Sequence, residues 1–223
     1  MSNNPSRTIM LASASPWRRE LLALTGLRFE QTPVDIDETP HPGEAANTYT
    51  ARLSQEKAAA AVALAMDDVL VLAADTTVAD GDLILGKPAT AVEARDMLTR
   101  LRGRKHQVYT AVTLVDTVTG QQVTEVATTD VPMRAYSDAE IEAYIASGDP
   151  FDKAGGYAIQ HAGFHPANLT SGCYANVMGL PLCHLVRVLH RFGIAPTADV
   201  PLRCQQFHPY DCDVTSDILT RRR

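Results

Sequence analysis

The chain has 223 residues, 45% hydrophobic and 21% charged, which is ordinary for a globular protein and enough for one sizeable domain or two small ones. A net charge of −6 excludes a global basic field for nucleic acid, although local Lys and Arg can still receive a phosphate. No run approaches the roughly 18 apolar residues of a membrane span, the N-terminal apolar run is too short for a signal peptide, and four scattered Cys do not make a disulfide scaffold, so a cytoplasmic protein is expected.

In chain order, "RTIMLAS" predicts a short buried strand. Ser15 then caps a helix, with Pro16 at its first position and Gly26 just past its end. Trp17, Leu21 and Leu24 recur at helical spacing and are expected on its buried face. "PVDIDETPHPGE" is a loop punctuated by prolines, and an Ala-rich helix follows over about residues 47–66. "DVLVLAAD" is an apolar strand expected to end in Asp75, and Asp80-Gly81 marks a hairpin turn between "TTVA" and "LIL". Thr90 with Glu93, and Ser137 with Glu140, are capping boxes for two helices that stop near Gly103 and Gly148. Between those helices, "QVYTAVTLVD" and "QVTEVATTDVPMRA" flank a turn at Gly120 and predict a second hairpin. "GGYAIQ" and "CYANVM" read as strands. Pro181 opens the expected last helix, with Leu182, Leu185, Val186 and Leu189 on one face. Beyond about Ala195, mixed polarity, prolines and the loss of periodicity predict an extended or partly disordered tail. Strand-helix units at both ends with hairpins between them predict a mixed α/β sheet.

Three segments carry candidate chemistry. "GDLILGKP" has the G-x-x-x-x-G-K spacing of a phosphate loop but ends in Pro88, which has no hydroxyl for Mg²⁺, and its interior is strand-like. Lys87 remains a candidate phosphate ligand as a point charge. "LASASPWRREL" runs from a strand through small residues into a helix start, where free N–H groups attract anions. Arg18 and Arg19 in that first turn oppose the helix dipole unless an anion arrives; the alternative is two solvated arginines. Asp75, after an apolar strand, could hold a metal or activate water, or simply serve a turn. Asp35, Asp37 and Glu38 share a loop and either bind a cation or are solvated. His161 and His165 are four apart, but Gly163 and Pro166 break any helix between them. "CQQFHPYDC" spaces Cys204, His208 and Cys212 evenly; Pro209 interrupts a helix there and no fourth ligand is evident, so a loose tail is expected instead of a metal clip.

"LASASPWRREL", "VDIDET", "RLSQEKA", "AADTTVADGDLILGKP", "GDPFDKAGGYAIQ" and "CYANVMGLPL" follow one another with the order and spacing of motifs in the Maf family of nucleoside triphosphate pyrophosphatases, which the chain resembles over residues 9–192. The resemblance implies a two-lobed α/β fold of the Maf/ITPase kind, with an elongated mixed sheet flanked by helices and a cleft between lobes. It implies one domain over residues 1–196, with residues 197–223 as a tail outside it. It also implies hydrolysis of a nucleoside triphosphate to monophosphate and pyrophosphate, dependent on Mg²⁺ or Mn²⁺. The family's proton acceptor falls on Asp75, and its phosphate and metal residues on Ser13, Arg18 or Arg19, Glu38, Lys57 and Lys87. Glu38 and Asp75 would hold the metal against the phosphate oxygens, and which carboxylate is base and which is ligand stays open.

Three positions associated with base choice in that family are Trp17, Thr76 and Gln160 here. Thr76 and Gln160 resemble members acting on dTTP and UTP, whereas Trp17 resembles members acting on 7-methyl-GTP. "QHAGFHPANLTSG" departs from the family's common "QGLG" after the glutamine. The expected substrates are dTTP and UTP. The alternatives are 7-methyl-GTP, ITP or XTP, or a nucleotide-binding cell-division regulator with little turnover. No nucleic-acid or membrane partner is expected, and homodimers are common for this kind of fold.

Overall fold

Six strands make one mixed sheet in the computed structural model, which describes residues 7–66, 68–208 and 210–220. β1 (Ile9–Ala12) feeds α1 (Pro16–Ala23), and β2 (Phe29–Gln31) pairs parallel with β1. α2 (Ala46–Val62) crosses to β3 (Leu70–Asp80), also parallel to β1, and β3 turns back into β4 (Leu83–Leu85). α3 (Ala91–Leu101) precedes a long antiparallel hairpin, β5 (Lys105–Asp116) and β6 (Gln122–Pro132), with β5 against β3. Then come α4 (Asp138–Ala146), two short 3₁₀ turns (Asp149–Asp152 and Ala154–Gly156), α5 (Tyr174–Met178), α6 (Leu182–Arg191), α7 (Val200–Phe207) and α8 (Thr215–Thr220). The strand order is β2-β1-β3-β5-β6, with β4 added to β3, so the expected mixed α/β sheet flanked by helices is what forms.

The two-residue period of β3 divides its side chains between faces. Leu70, Leu72, Ala74 and Val78 join the main core with Leu21, Leu98, Val112, Tyr136 and Leu185. Each such fully buried Leu or Val contributes about 1.5–3 kcal/mol over exposure. Val71 and Ala73 point the other way, onto Ala58 and Ala61 of α2. Those alanines bring the helix close to the sheet, and the neighbouring Lys57 is thereby held against it. Ser15, Thr90 and Ser137 all cap their helices through the side chain, and the Ser137–Glu140 box is complete.

Several expectations change. Asp75 is not the end of its strand: β3 continues to Asp80, because β5 pairs with it from Leu70 to Ala79. The hairpin turn is Gly81–Asp82, with Asp80 already paired to Leu83 and Gly81 at φ +64°. α2 stops at Val62, short of residue 66. Trp17 is 36% exposed; only Leu21 on that face is fully buried. "GGYAIQ" is not a strand, because Gly155 and Gly156 both take φ +70° and Gly155 packs so close to Val78 that an added Cβ would lie 2.8 Å from its Cγ1. "CYANVM" is the short helix α5, closed by Gly179 at φ +110°. The tail holds two helices, α7 capped by Asp199, and the Thr197 N–H and hydroxyl donate to the carbonyls of Thr25 and Gly26. Its apolar side chains Cys204, Val214 and Leu219 pack on the main core, a burial that its weak periodicity hides. Pro209 lies outside the described residues; α7 ends two residues before it, at Phe207.

Candidate active site

β1 stops at Ala12, opposite Ala73, and β4 begins pairing with β3 only at Val78. Ala74 to Thr77 therefore have no strand partner on that edge, while β5 covers the other edge throughout. A break of this kind at the carboxyl end of a parallel strand is where open α/β sheets place ligand chemistry. The chain from β1 turns through Ser13–Ser15 into α1 beside it, and Gln31 holds that turn by donating to the Ser13 carbonyl at 2.7 Å.

On the α2 face, Lys57 Nζ lies 2.5 Å from Asp75 Oδ1 and 2.6 Å from Glu38 Oε1. Asp75 is buried, at 6% exposure. Glu38 comes from the proline-punctuated loop, which Tyr49 pins by donating its hydroxyl to the Glu38 carbonyl at 2.6 Å. Partial desolvation pushes the Glu38 carboxyl up, but the hydrogen bond and charge of Lys57, with the charges of Lys87 and Arg18, outweigh it and hold the group below its ordinary range. Two carboxylates sharing one ammonium leave a net negative charge. That number of carboxylates suits Mg²⁺ or Mn²⁺ when phosphate oxygens and water complete the shell. Among the described residues no three His, Cys, Asp or Glu side chains gather as a self-sufficient cage. The donor set thus fits an ion that arrives with its substrate.

On the opposite face the charge is positive. Arg18 donates to the Gly179 carbonyl at 2.9 Å, to Ser13 Oγ at 3.3 Å and to Thr76 Oγ1 at 3.0 Å. Thr110 Oγ1 donates to the Asn176 carbonyl at 2.8 Å, so its contact with Thr76 at 3.0 Å is filled by the Thr76 proton. The polar chain therefore runs in one direction, Arg18 to Thr76 to Thr110 to the α5 backbone. All three acceptors of Arg18 are neutral, and two of its five N–H groups are left over. Burial lowers the Arg18 pKa while Asp75 and Glu38 oppose that shift. Among the described residues no carboxylate reaches salt-bridge distance of this half-buried guanidinium, which makes it a standing attraction for an anion.

The helix start itself offers less than expected. The Arg18 N–H is taken by Ser15 Oγ, the Ser15 N–H by Ser13 Oγ, and Pro16 has none. The Arg18 side chain, with two N–H groups left over, offers an anion more than the Ser15 and Arg18 backbone groups do. Lys87 stands exposed two residues past β4 with its charge felt by Glu38. Arg19 is exposed, and no hydrogen bond ties it to the site among the described residues. Gln160 is half-buried beyond the 3₁₀ turns. The structure thus brings together Ser13, Arg18, Glu38, Lys57, Asp75 and Thr76, and leaves Trp17 and Arg19 on the outer surface of α1.

Sequence reasoning missed Gly179, Thr110, Asn176 and Tyr49. Gly179 is required twice over: its φ is +110°, and an added Cβ would lie 3.2 Å from Thr76 Oγ1 and 3.4 Å from Arg18 Nε. Asn176, fully buried, ties α5 to the sheet by donating to the Val108 carbonyl and Thr129 Oγ1. A glycine ending "YANVM" is a helix-stop signal, and reading it as such points to the short helix.

The description "Maf-like protein" matches residues 8–192. This chain belongs to the Maf family. A dTTP/UTP pyrophosphatase of Myxococcus xanthus is 50% identical over 192 residues, covering 86% of this chain and 96% of its own. A dTTP/UTP pyrophosphatase of Chromobacterium violaceum is 46% identical over 198 residues, covering 86% and 98%, and one from Yersinia pestis is 46% identical over 184 residues, covering 82% and 92%. Among solved structures, a nucleoside-triphosphatase / dITP/XTP pyrophosphatase of Mycobacterium abscessus superposes with a TM-score of 0.36 and 15% identity over 57% of this chain and 73% of that one, too loosely to carry weight.

Proposed function

We propose that this Maf protein hydrolyses nucleoside triphosphates to monophosphate and pyrophosphate, and that dTTP and UTP are its substrates. The observation that carries the reading is the convergence of Asp75, Lys57 and Glu38 at a sheet break beside an unpaired Arg18. The near-full-length likeness to proteins named for dTTP and UTP supports the choice of base.

In this mechanism Asp75 accepts a proton from water as the water oxygen attacks the α-phosphorus. The bond from that phosphorus to the α–β bridging oxygen breaks, and its electron pair leaves on pyrophosphate. Lys57 fixes the position of Asp75 and Glu38. Arg18 and Lys87 neutralise charge on the departing group and Ser13 borders the phosphates, where electrostatic stabilisation is the largest contribution; Arg19, on the outer surface of α1, adds its charge only at longer range. Glu38 and Asp75 would hold Mg²⁺ or Mn²⁺, which when bound neutralises phosphate charge. Trp17, Thr76 and Gln160 are assigned to base selection, and the reading extends to a cytoplasmic homodimer. Among the described residues no helix is long and apolar enough to cross a membrane.

The test is a panel of dTTP, UTP, ITP, XTP and 7-methyl-GTP with Mg²⁺, scored for pyrophosphate and orthophosphate separately. Pyrophosphate release fastest from dTTP and UTP is expected. Direct orthophosphate release sinks the reaction; a preference for 7-methyl-GTP or ITP sinks the substrate; tight binding without product favours the regulator.

A further inference from the structure

The four cysteines all fall between residues 173 and 212, and none takes part in the chemistry above. All four line one small cavity where the C-terminal segment meets α5 and α6. Cys173 precedes α5, Cys183 lies in the first turn of α6, Cys204 lies in α7, and Cys212 follows α7. His208 and Tyr210 line the same cavity, whose free volume of about 20 Å³ suits a single water-sized body. All four are free thiols.

A second observation is independent of the clustering. His208 Nε2 and Tyr210 OH are both buried without a hydrogen-bond partner among the described residues. A buried orphan polar atom costs about 1–3 kcal/mol and calls for a reason. The His208 ring is held by packing, 4.8 Å from the ring of Tyr174.

We propose that Cys173, Cys183, Cys204 and Cys212, with His208 within reach, bind one thiophilic divalent cation of the Zn²⁺ class and so fasten the C-terminal helices to the body of the protein. Sulfur-rich sets of four ligands select such ions. Two of the thiols and the imidazole lie beyond residue 192, where the family match ends, so the tail itself supplies half of the cysteine set. Among the described residues no three of these groups already stand in coordinating geometry. Binding therefore draws the thiols together by side-chain rotation and releases their protons to solvent as thiolates form.

The competing use of the same thiols is a disulfide. All four thiols are free in the structure, so no pair is already joined. A bound divalent cation, by contrast, itself stabilises the thiolates it coordinates.

The test uses the reduced full-length protein, stripped with a chelator and titrated with Co²⁺ without oxygen. Expected are visible bands of tetrahedral Co²⁺ and near-ultraviolet sulfur-to-cobalt bands that saturate at one equivalent and vanish when Zn²⁺ is added. Cys204→Ser and Cys212→Ser, alone and together, are expected to weaken and then abolish the bands, with far-ultraviolet circular dichroism confirming that each variant is folded. Absence of bands at one equivalent overturns the proposal, as does an unchanged spectrum in the folded double variant. Counting thiols in the denatured, unreduced protein separates the disulfide: four supports the proposal, and two or fewer overturns it.

Discussion

Asp75 and Thr76 are neighbours in sequence, yet the pleat of β3 puts them on opposite faces of the sheet in opposite electrostatic settings. Asp75 meets Lys57 and Glu38, two carboxylates on one ammonium. Thr76 meets Arg18, a cation whose hydrogen bonds go to neutral oxygens and which feels Asp75 and Glu38 only through their charge. One face has negative charge to spare for a metal and for proton transfer, and the other has positive charge to spare for phosphate. In the proposed reaction, a ligand at the edge of β3, in the break between β1 and β4, would address both faces at once. A site can thus divide its roles by strand parity alone, with no long loop to separate them.

The sharpest way to break that division is Asp75→Asn. It keeps the shape and removes the proton acceptor. A loss of about 10²–10⁴-fold in kcat for pyrophosphate release is expected, and a variant within a few-fold of the parent would move the base elsewhere. Next, Lys57→Met leaves Asp75 buried beside no ammonium. Side-chain exposures of 12% and 8% mark this as an interior pair, so a destabilisation of about 3 kcal/mol by urea titration is expected, together with loss of activity.

Deeper on the Thr76 face, His106 is 1% exposed, and among the described residues its ring hydrogen-bonds through Nε2 alone, with the Tyr157 hydroxyl at 2.8 Å. Burial lowers its pKa to about 4 against the pull of Asp80 and Asp130. The folded pKa is below the unfolded one, so the unfolded chain takes up the proton first as pH falls. The contribution is whole above pH ~6.5 and is lost on going down towards pH 4, on the order of 2 kcal/mol by pH 5. Denaturation at pH 7 and 5, repeated with His106→Gln, isolates it; an equal pH slope in the variant would reassign the effect.

The smallest effect is expected from Arg18→Lys, which keeps the charge. An ammonium cannot hold the Gly179 carbonyl, Ser13 and Thr76 in the guanidinium's planar fork. A rise in KM for dTTP on the order of tenfold, with kcat changed less, is expected. A larger fall in kcat than rise in KM would instead put Arg18 at the transition state.

Much of this was legible beforehand. Caps at Ser15, Thr90 and Ser137 are written in local chemistry, and so are the β5–β6 hairpin and the Ala-rich crossover helix. Asp75, Lys57 and Glu38 were named from the motifs they sit in, and the structure brings them within one hydrogen-bonded set. What was misread fails for identifiable reasons. "GGYAIQ" and "CYANVM" carry apolar and β-forming residues, but paired left-handed glycines in the first and the Gly179 stop in the second override that preference. Trp17 has core-like spacing but sits in the first turn of α1, where it stays 36% exposed. The tail's apolar residues lack a period because several elements share them.

The sequence by itself determined the class of fold, the capped helix starts, the family and the cast of charged residues, because these depend on neighbours a few positions apart or on ordered motifs. Only the tertiary structure decided that Arg18 reaches Thr76 and Gly179, that β3 runs on through Asp75, and that Cys173, Cys183, Cys204 and Cys212 share one cavity. Those facts depend on which elements pack together across 58 to 161 residues of chain for Arg18, and no local propensity encodes such a distance. Strand parity joins the two levels: it is readable in "ADT", but it has a chemical meaning only once Lys57 and Arg18 arrive from opposite sides.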